Sequence, residues 1–132
     1  MTSNEILDFL KHNKLFHGFS AHQFLRVTGV AREVHFPAGE IIIQEMDISD
    51  NLFLIQEGEV EVTKWDEETH RTYRLANLGI QDIIGEISIL DSTPRSATVR
   101  AVTPVTVIAF STQQLLSLSE EQTAHPFYYH MV

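Results

Sequence analysis

The sequence predicts an antiparallel β barrel or sandwich with helices before and after it. From about residue 32 to residue 110, short apolar or alternating runs of strand length are separated by Pro-, Gly- and Asp-containing turns, a pattern typical of all-β folds. Helical spacing of apolar residues is absent from this stretch, which disfavours strand–helix–strand units and a parallel sheet. Helical spacing and capping patterns return only at the two ends of the chain.

Size and composition limit the function. The 132 residues fit one domain, and 43% hydrophobic residues are enough for a core. A net charge of -9 argues against a nucleic-acid surface, which needs clustered Lys and Arg. The absence of cysteine excludes disulfides, thiolate zinc sites and thiol nucleophiles. No apolar run approaches the ~20 residues of a membrane helix, and the N-terminus lacks signal-peptide features, so we expect a cytoplasmic protein.

Residues 1–30 are expected to form two helices. The first is indicated by apolar residues at helical spacing, Ile6, Phe9 and Leu10. The second begins at a capping box made by Ser20 and Gln23. A hydrophobic staple accompanies this capping box, formed by Phe19 and Phe24. Gly29 is expected to end the second helix, since glycine is common just past a helix C-terminus.

Residues 31–110 are expected to form the β structure. The strand-like runs lie at 33–36, 41–43, 52–55, 59–62, 71–75, 97–101 and 105–110. The run at 59–62 alternates Glu and Val, which indicates a sheet with one wet face. The acidic run at 66–68 is expected to be a solvated hairpin tip. Residues 111–132 carry further capping patterns and are expected to be helical.

One segment, residues 82–99, does not resemble ordinary β-sandwich sequence and is long for a hairpin loop, which favours a functional role. A short helix starting near Glu86 would direct free N–H groups and positive potential outward. Arg95 can pair bidentately with a phosphate, and the amides of Ser96 and Ala97 could complete an anion site. A carboxylate beside a phosphate is electrostatically unfavourable unless it accepts a hydrogen bond from a hydroxyl group of the ligand. Glu86 therefore points to a sugar phosphate or nucleotide.

These residues resemble a known family. Gly-Glu-Ile-Ser-Ile-Leu at 85–90 and Pro-Arg-Ser-Ala-Thr-Val at 94–99 are similar to the phosphate-binding cassette of cyclic nucleotide-binding domains. Such domains occur in the catabolite activator protein and in regulatory subunits of protein kinase A. Residues 36–40 and 52–60 resemble the family's first turn and central hairpin. The resemblance implies an antiparallel jelly roll (β-roll) with flanking helices, a cassette at 84–99 and a single domain over 1–132.

The resemblance also implies roles for individual residues. Glu86 would accept a hydrogen bond from the ribose 2'-hydroxyl, and Arg95 would pair with the exocyclic oxygen of the cyclic phosphate. The ligand-binding set implied is Gly85, Glu86, Ile87, Arg95, Ser96 and Ala97. Candidates for contact with the base are Thr98, Tyr128 and Tyr129. The expected ligand is a 3',5'-cyclic purine nucleotide. We expect cAMP rather than cGMP, although Ser96 is compatible with both.

The chain departs from the family pattern at several positions. Met46 and Gln81 stand where the family usually has glycine, and either substitution is costly if its turn needs a positive φ. Ile84 replaces a more frequent Phe. The hinge helix that closes over the base in family members is barely begun at Val132.

Two other classes of function remain as alternatives. The fold could serve as a protein-interaction module that no longer binds nucleotide. An all-β enzyme is disfavoured, because none of the seven histidines forms a His-x-His metal pair and no serine lies in a recognisable triad pattern. We therefore expect a sensor without a metal or catalytic residue. Its output would pass to an effector protein or a further domain outside this chain, with homodimerisation left open.

Overall fold

The computed structural model describes residues 1–46, 51–85, 97–111, 113–115 and 117. The chain begins with helix α1 (Ser3–Lys11), a 3₁₀ turn (Lys14–Phe16) and helix α2 (Ala21–Val30). Eight strands follow, namely β1 (Arg32–Phe36), β2 (Ile41–Ile43), β3 (Asn51–Glu57), β4 (Val60–Asp66), β5 (Arg71–Leu78), β6 (Ile83–Ile84), β7 (Thr98–Ala101) and β8 (Val105–Ser111). Residues 113–115 and 117 are helical, and Leu115 is buried.

Side-chain caps fix the starts of both helices. The predicted box of Ser20 and Gln23 is confirmed, with both reciprocal hydrogen bonds present. An equivalent box of Thr2 and Glu5, which the sequence reasoning missed, begins α1. The prediction that Gly29 ends α2 is wrong, because the helix continues to Val30. Gly29 does not adopt the positive φ of a glycine cap.

The strands form two four-stranded sheets, as the short-strand pattern predicted. The first sheet has the order β1-β8-β3-β6 and the second has the order β2-β7-β4-β5. Every strand pairing in the described chain is antiparallel. The expected antiparallel roll with preceding helices is therefore confirmed.

Two hydrophobic clusters share the first sheet. Strand β3 directs Leu52 and Leu54 toward the N-terminal helices, and directs Phe53 and Ile55 into the space between the sheets. Strand β8 is buried at six consecutive residues for the same reason. A strand covered on both faces is apolar at most positions, which explains the apolar runs in the sequence. The polar exception in β8 is Thr106, which is hydrogen-bonded to His35.

The turn between β3 and β4 packs tightly against the turn between β7 and β8. Gly58 has φ +95, and a Cβ added there would lie 2.3 Å from the carbonyl oxygen of Pro104. The backbone N–H of Glu59 donates to Thr103 Oγ1 at 3.0 Å, and its carbonyl accepts from Val102 N at 2.8 Å. The two turns thus hold the end of the roll together through direct backbone contact.

Candidate functional site

The predicted ligand-binding segment begins immediately after β6. This two-residue strand pairs with β3 in the register Phe53↔Ile84 and Leu54↔Ile83. Ile84, which replaces the family's more frequent Phe, is 4% exposed and lies in the cluster between the sheets. Gly85 follows with φ 94, a conformation that glycine adopts without strain. The backbone therefore leaves the sheet at the first residue of the predicted ligand-binding set.

The segment ends where β7 enters the second sheet. Ala97 is half-buried, and Val99 is 5% exposed in the same cluster that holds Ile84. Because Ile84 and Val99 share one buried cluster, the chain on either side of residues 85–97 is fixed in the same core. The strand before this segment, β6, belongs to the first sheet, and the strand after it, β7, belongs to the second.

Thr98 connects the end of this loop to the loop between β2 and β3. Its Oγ1 accepts hydrogen bonds from the backbone N–H of Glu45 at 3.0 Å and from Nε2 of Gln44 at 3.4 Å. In this structure the hydroxyl therefore holds a neighbouring loop in place. Its contact with a base stays a prediction.

Both positions at which the family usually has glycine adopt a positive φ. Met46 has φ 75 and Gln81 has φ 74. Such conformations cost a non-glycine residue on the order of 1–3 kcal/mol, and they persist where surrounding contacts enforce them. We expected a conformational cost only if these turns need a positive φ, and both turns adopt one. Met46 is 69% exposed, whereas the side chain of Gln81 is engaged by the N-terminal helices.

A comparison with protein families decides the classification. The family described as the cyclic nucleotide-binding domain matches residues 33–122. The chain belongs to this family. The resemblance based on residues 85–90 and 94–99 is therefore confirmed, and the match includes every strand of both sheets after the first residue of β1.

Relatives of the domain include a kinase regulatory subunit and a cyclic nucleotide-dependent kinase. The cAMP-dependent protein kinase regulatory subunit of Emericella nidulans is 34% identical over 100 residues, which cover 75% of this chain and 23% of that subunit. The Drosophila melanogaster cGMP-dependent protein kinase, isozyme 2 forms cD5/T2, is 27% identical over 95 residues, which cover 72% of this chain and 10% of the kinase. The domain thus corresponds to less than a quarter of either relative.

A solved structure agrees with this assignment. The structure described as cAMP-bound PfPKA-R (141–441) superimposes with a TM-score of 0.79 at 27% identity. The superposition covers 88% of this chain and 41% of the other. The β-roll and its N-terminal helices are therefore an architecture that also occurs in a nucleotide-bound protein.

The structure describes only part of the predicted site. Gly85, Ala97 and Thr98 lie at the ends of the loop, as described above. The remaining predicted residues lie outside the described residues: Glu86, Ile87, Arg95, Ser96, Tyr128 and Tyr129. Their roles stay predictions. So does the helical structure expected for the rest of 111–132, which also lies outside the described residues.

An ion pair joins the N-terminus to β1. The Met1 ammonium group, hydrogen-bonded to Glu33, lowers the pKa of that carboxyl group, and the pKa of the ammonium group is raised in turn. His35 contacts Glu33 and Thr106, and its own side chain is 68% exposed. Within the described residues, no three His, Asp or Glu side chains are grouped as metal ligands. No described helix is both long enough and apolar enough to span a membrane.

Proposed function

We propose that this domain binds a 3',5'-cyclic purine nucleotide, cAMP in preference to cGMP, and acts as a regulatory sensor without catalytic activity. The observation that carries the proposal is that Ile84 and Val99, which flank residues 85–97, share a single buried cluster of a cyclic nucleotide-binding roll. That loop contains the glutamate and arginine whose chemistry suits a ribose phosphate.

The proposed binding chemistry divides between two side chains and the backbone. Arg95 neutralises the cyclic phosphate through a guanidinium group that remains charged at any working pH. Glu86 accepts a hydrogen bond from the ribose 2'-hydroxyl, which a 2'-deoxy ligand cannot donate. Backbone amides of Gly85, Glu86 and Ala97 take the remaining oxygens, and the φ of 94 at Gly85 supports a close approach of the backbone.

The preference for cAMP is the finer part of the proposal. The fungal relative is described as cAMP-dependent, and PfPKA-R is described as bound to cAMP. The fly relative is described as cGMP-dependent, so similarity alone favours neither nucleotide strongly. Ser96 is compatible with both bases, and Thr98, Tyr128 and Tyr129 are the proposed base contacts.

The proposed signal is mechanical. Phosphate binding draws in Arg95 and the short helix expected near Glu86, and the apolar residues Ile87 and Leu90 move with them. The flanking helices then repack, and this population shift passes to an effector protein or further domain, in a monomer or a homodimer. We place this regulation in the cytoplasm, without direct binding to nucleic acid.

A protein-interaction module without nucleotide binding is the second candidate. The strained turns favour it, because Met46 and Gln81 replace glycine at positive φ beside the two ends of the loop. A sequence under selection for an unchanged loop geometry would be expected to keep the unstrained residue at these turns.

Calorimetric titration with cAMP and cGMP, with 5'-AMP as control, distinguishes the two candidates. Micromolar or tighter binding of a cyclic nucleotide but not of 5'-AMP supports the sensor. No heat and no thermal shift with either cyclic nucleotide supports the interaction module. The ratio of the cAMP and cGMP affinities tests the proposed preference.

Substitution of Arg95 tests the chemistry. We expect Arg95→Ala to weaken binding by about 2–5 kcal/mol, the range for removing one partner of a buried charge pair, or roughly thirtyfold or more. Glu86→Gln should cost less, because an amide oxygen still accepts a hydrogen bond. The matched control is Arg100→Ala, which removes an exposed arginine on β7 outside the loop. A loss of less than about threefold on Arg95→Ala would show that Arg95 is not the phosphate partner.

A further inference from the structure

A buried asparagine connects the N-terminal helices to the roll. Asn13 lies between α1 and the 3₁₀ turn and is only 5% exposed. Its Oδ1 accepts the backbone N–H of Leu15 at 2.9 Å, which holds the start of the 3₁₀ turn. Its Nδ2 donates to Gln81, both to the backbone carbonyl and to Oε1, each at 2.9 Å. A buried amide with these partners has little freedom to reorient.

Gln81 returns a hydrogen bond to the same helical region. Its Nε2 donates to the backbone carbonyl of Phe9 in the last turn of α1 at 3.2 Å. The side chain of Gln81 thus accepts from one residue of the N-terminal segment and donates to another. A change in the position of α1 relative to the roll must break these contacts or move the turn that contains Gln81.

That turn leads directly into the proposed ligand-binding loop. Asp82 N donates to Gly79 O at 2.9 Å, which closes a four-residue turn with Gln81 at its third position. Gln81 N donates to Ile55 O at 2.8 Å, and Ile55 N donates to Asp82 O at 3.0 Å, so β3 holds both residues. Only β6 separates this turn from Gly85.

Glycine would satisfy this turn with less strain. A φ of 74 at the third position of such a turn favours glycine, which has no Cβ to clash. Glutamine is strained there, but it adds two side-chain hydrogen bonds to Asn13 and Phe9 that glycine cannot make. At Met46, the other positive-φ position where the family usually has glycine, the side chain is 69% exposed. The two substitutions therefore differ in what the added side chain contacts.

We propose that Gln81 is a positioning residue that couples the N-terminal helical segment to the ligand-binding loop. Its side chain fixes α1 and the 3₁₀ turn to the turn before β6, so that a displacement of Gly85 on ligand binding is transmitted to the helices. The ligand part of this inference rests on the proposed function. The connection itself rests on the contacts of Asn13, Gln81 and Phe9.

Hydrogen exchange of the free protein tests the connection without any ligand. Gln81→Gly keeps the turn geometry and removes the side-chain contacts. We expect it to accelerate amide exchange in residues 9–17 by about tenfold relative to wild type, while β8 stays protected. Met46→Gly is the matched control, because it relieves equal backbone strain at the other turn. This control should change exchange in residues 9–17 by less than about twofold.

Addition of cAMP tests the coupling. In wild type, saturating cAMP should slow exchange in residues 9–17 by about threefold or more. In Gln81→Gly, calorimetry should still detect cAMP binding, but exchange in residues 9–17 should no longer respond. A purely structural role for Gln81 would leave that ligand response in place.

The outcomes separate the two proposals. Unchanged exchange in ligand-free Gln81→Gly overturns the connection, whatever the protein binds. An equal cAMP response in wild type and Gln81→Gly overturns the coupling. Failure of wild type to bind cAMP and cGMP overturns the proposed function and the ligand part of this inference, whereas the ligand-free comparison still decides the connection.

Discussion

Replacement of Gly58 by alanine tests the packing of the two turns at the end of the roll. Gly58 has φ +95, and an added Cβ would meet Pro104 O at 2.3 Å, Val105 Cγ2 at 2.9 Å and Val105 Cα at 3.0 Å. Two of these three atoms belong to the backbone, which a rotamer change cannot move. The neighbouring turn would have to shift as a unit, and its hydrogen bonds to Glu59 would shift with it.

Two separate costs determine the expected magnitude. A left-handed conformation costs a residue with a Cβ about 1–2 kcal/mol relative to glycine. Overpacking against atoms that cannot move aside costs typically about 1–3 kcal/mol. We therefore expect Gly58→Ala to lower the free energy of unfolding by about 2–5 kcal/mol. That loss is a large fraction of the about 5–15 kcal/mol that stabilises a typical domain.

Two other glycines separate these costs. Gly39 has φ +90 but nothing within 4 Å of an added Cβ, so Gly39→Ala should carry only the conformational cost. Gly29 lies in α2 with open space around it, so Gly29→Ala should stabilise the protein by up to about 1 kcal/mol. Urea unfolding followed by far-ultraviolet circular dichroism measures all three. If Gly58→Ala costs no more than Gly39→Ala, the argument from the Pro104 contact is wrong.

Two further predictions concern the helix caps. Ser20→Ala removes the acceptor for Gln23 N and should destabilise the protein by about 0.5–2 kcal/mol in the same urea assay, whereas no measurable change would contradict the capping role. Hydrogen bonds from the backbone and side chain of Thr2 lower the pKa of Glu5 from its ordinary value of 4.5. Because the folded pKa is the lower one, this contribution is present above pH 4.5 and is lost as the pH falls through the folded pKa. The protection factors of the α1 amides, which correct for the intrinsic pH dependence of exchange, should therefore fall in acid, whereas those of α2, with its uncharged Gln23, should not. Glu5→Gln should abolish this pH dependence in α1.

Local patterns were sufficient for most secondary structure. The box of Ser20 and Gln23 predicted the start of α2, because capping depends on residues close in sequence. The runs at 52–55 and 105–110 predicted β3 and β8, because strands buried on both faces consist mostly of apolar residues, with Thr106 as the polar exception in β8. Gly29 was wrongly predicted to end α2, since a glycine cap is defined by a positive φ that sequence does not reveal.

Less of the candidate site than of the secondary structure could be predicted from the sequence. The residue types at 85–90 and 94–99 indicated phosphate and ribose chemistry, and the family match supports that interpretation at the level of the family. The short strand β6 was missed, because two isoleucines before a glycine carry no periodicity. Strain at Gln81 was predicted only for the case that its turn needs a positive φ. Its hydrogen-bond partner Asn13 was not predicted.

The sequence by itself determined the fold class, the start of α2 and the segment proposed to bind the ligand, because each is encoded in neighbouring residues. Only the tertiary structure decided that Ile84 and Val99, on either side of that segment, share one buried cluster. It also decided that Asn13 meets Gln81 across 68 residues of chain. A contact between such distant residues arises from the packing of α1 on the roll, and local periodicity carries no record of it.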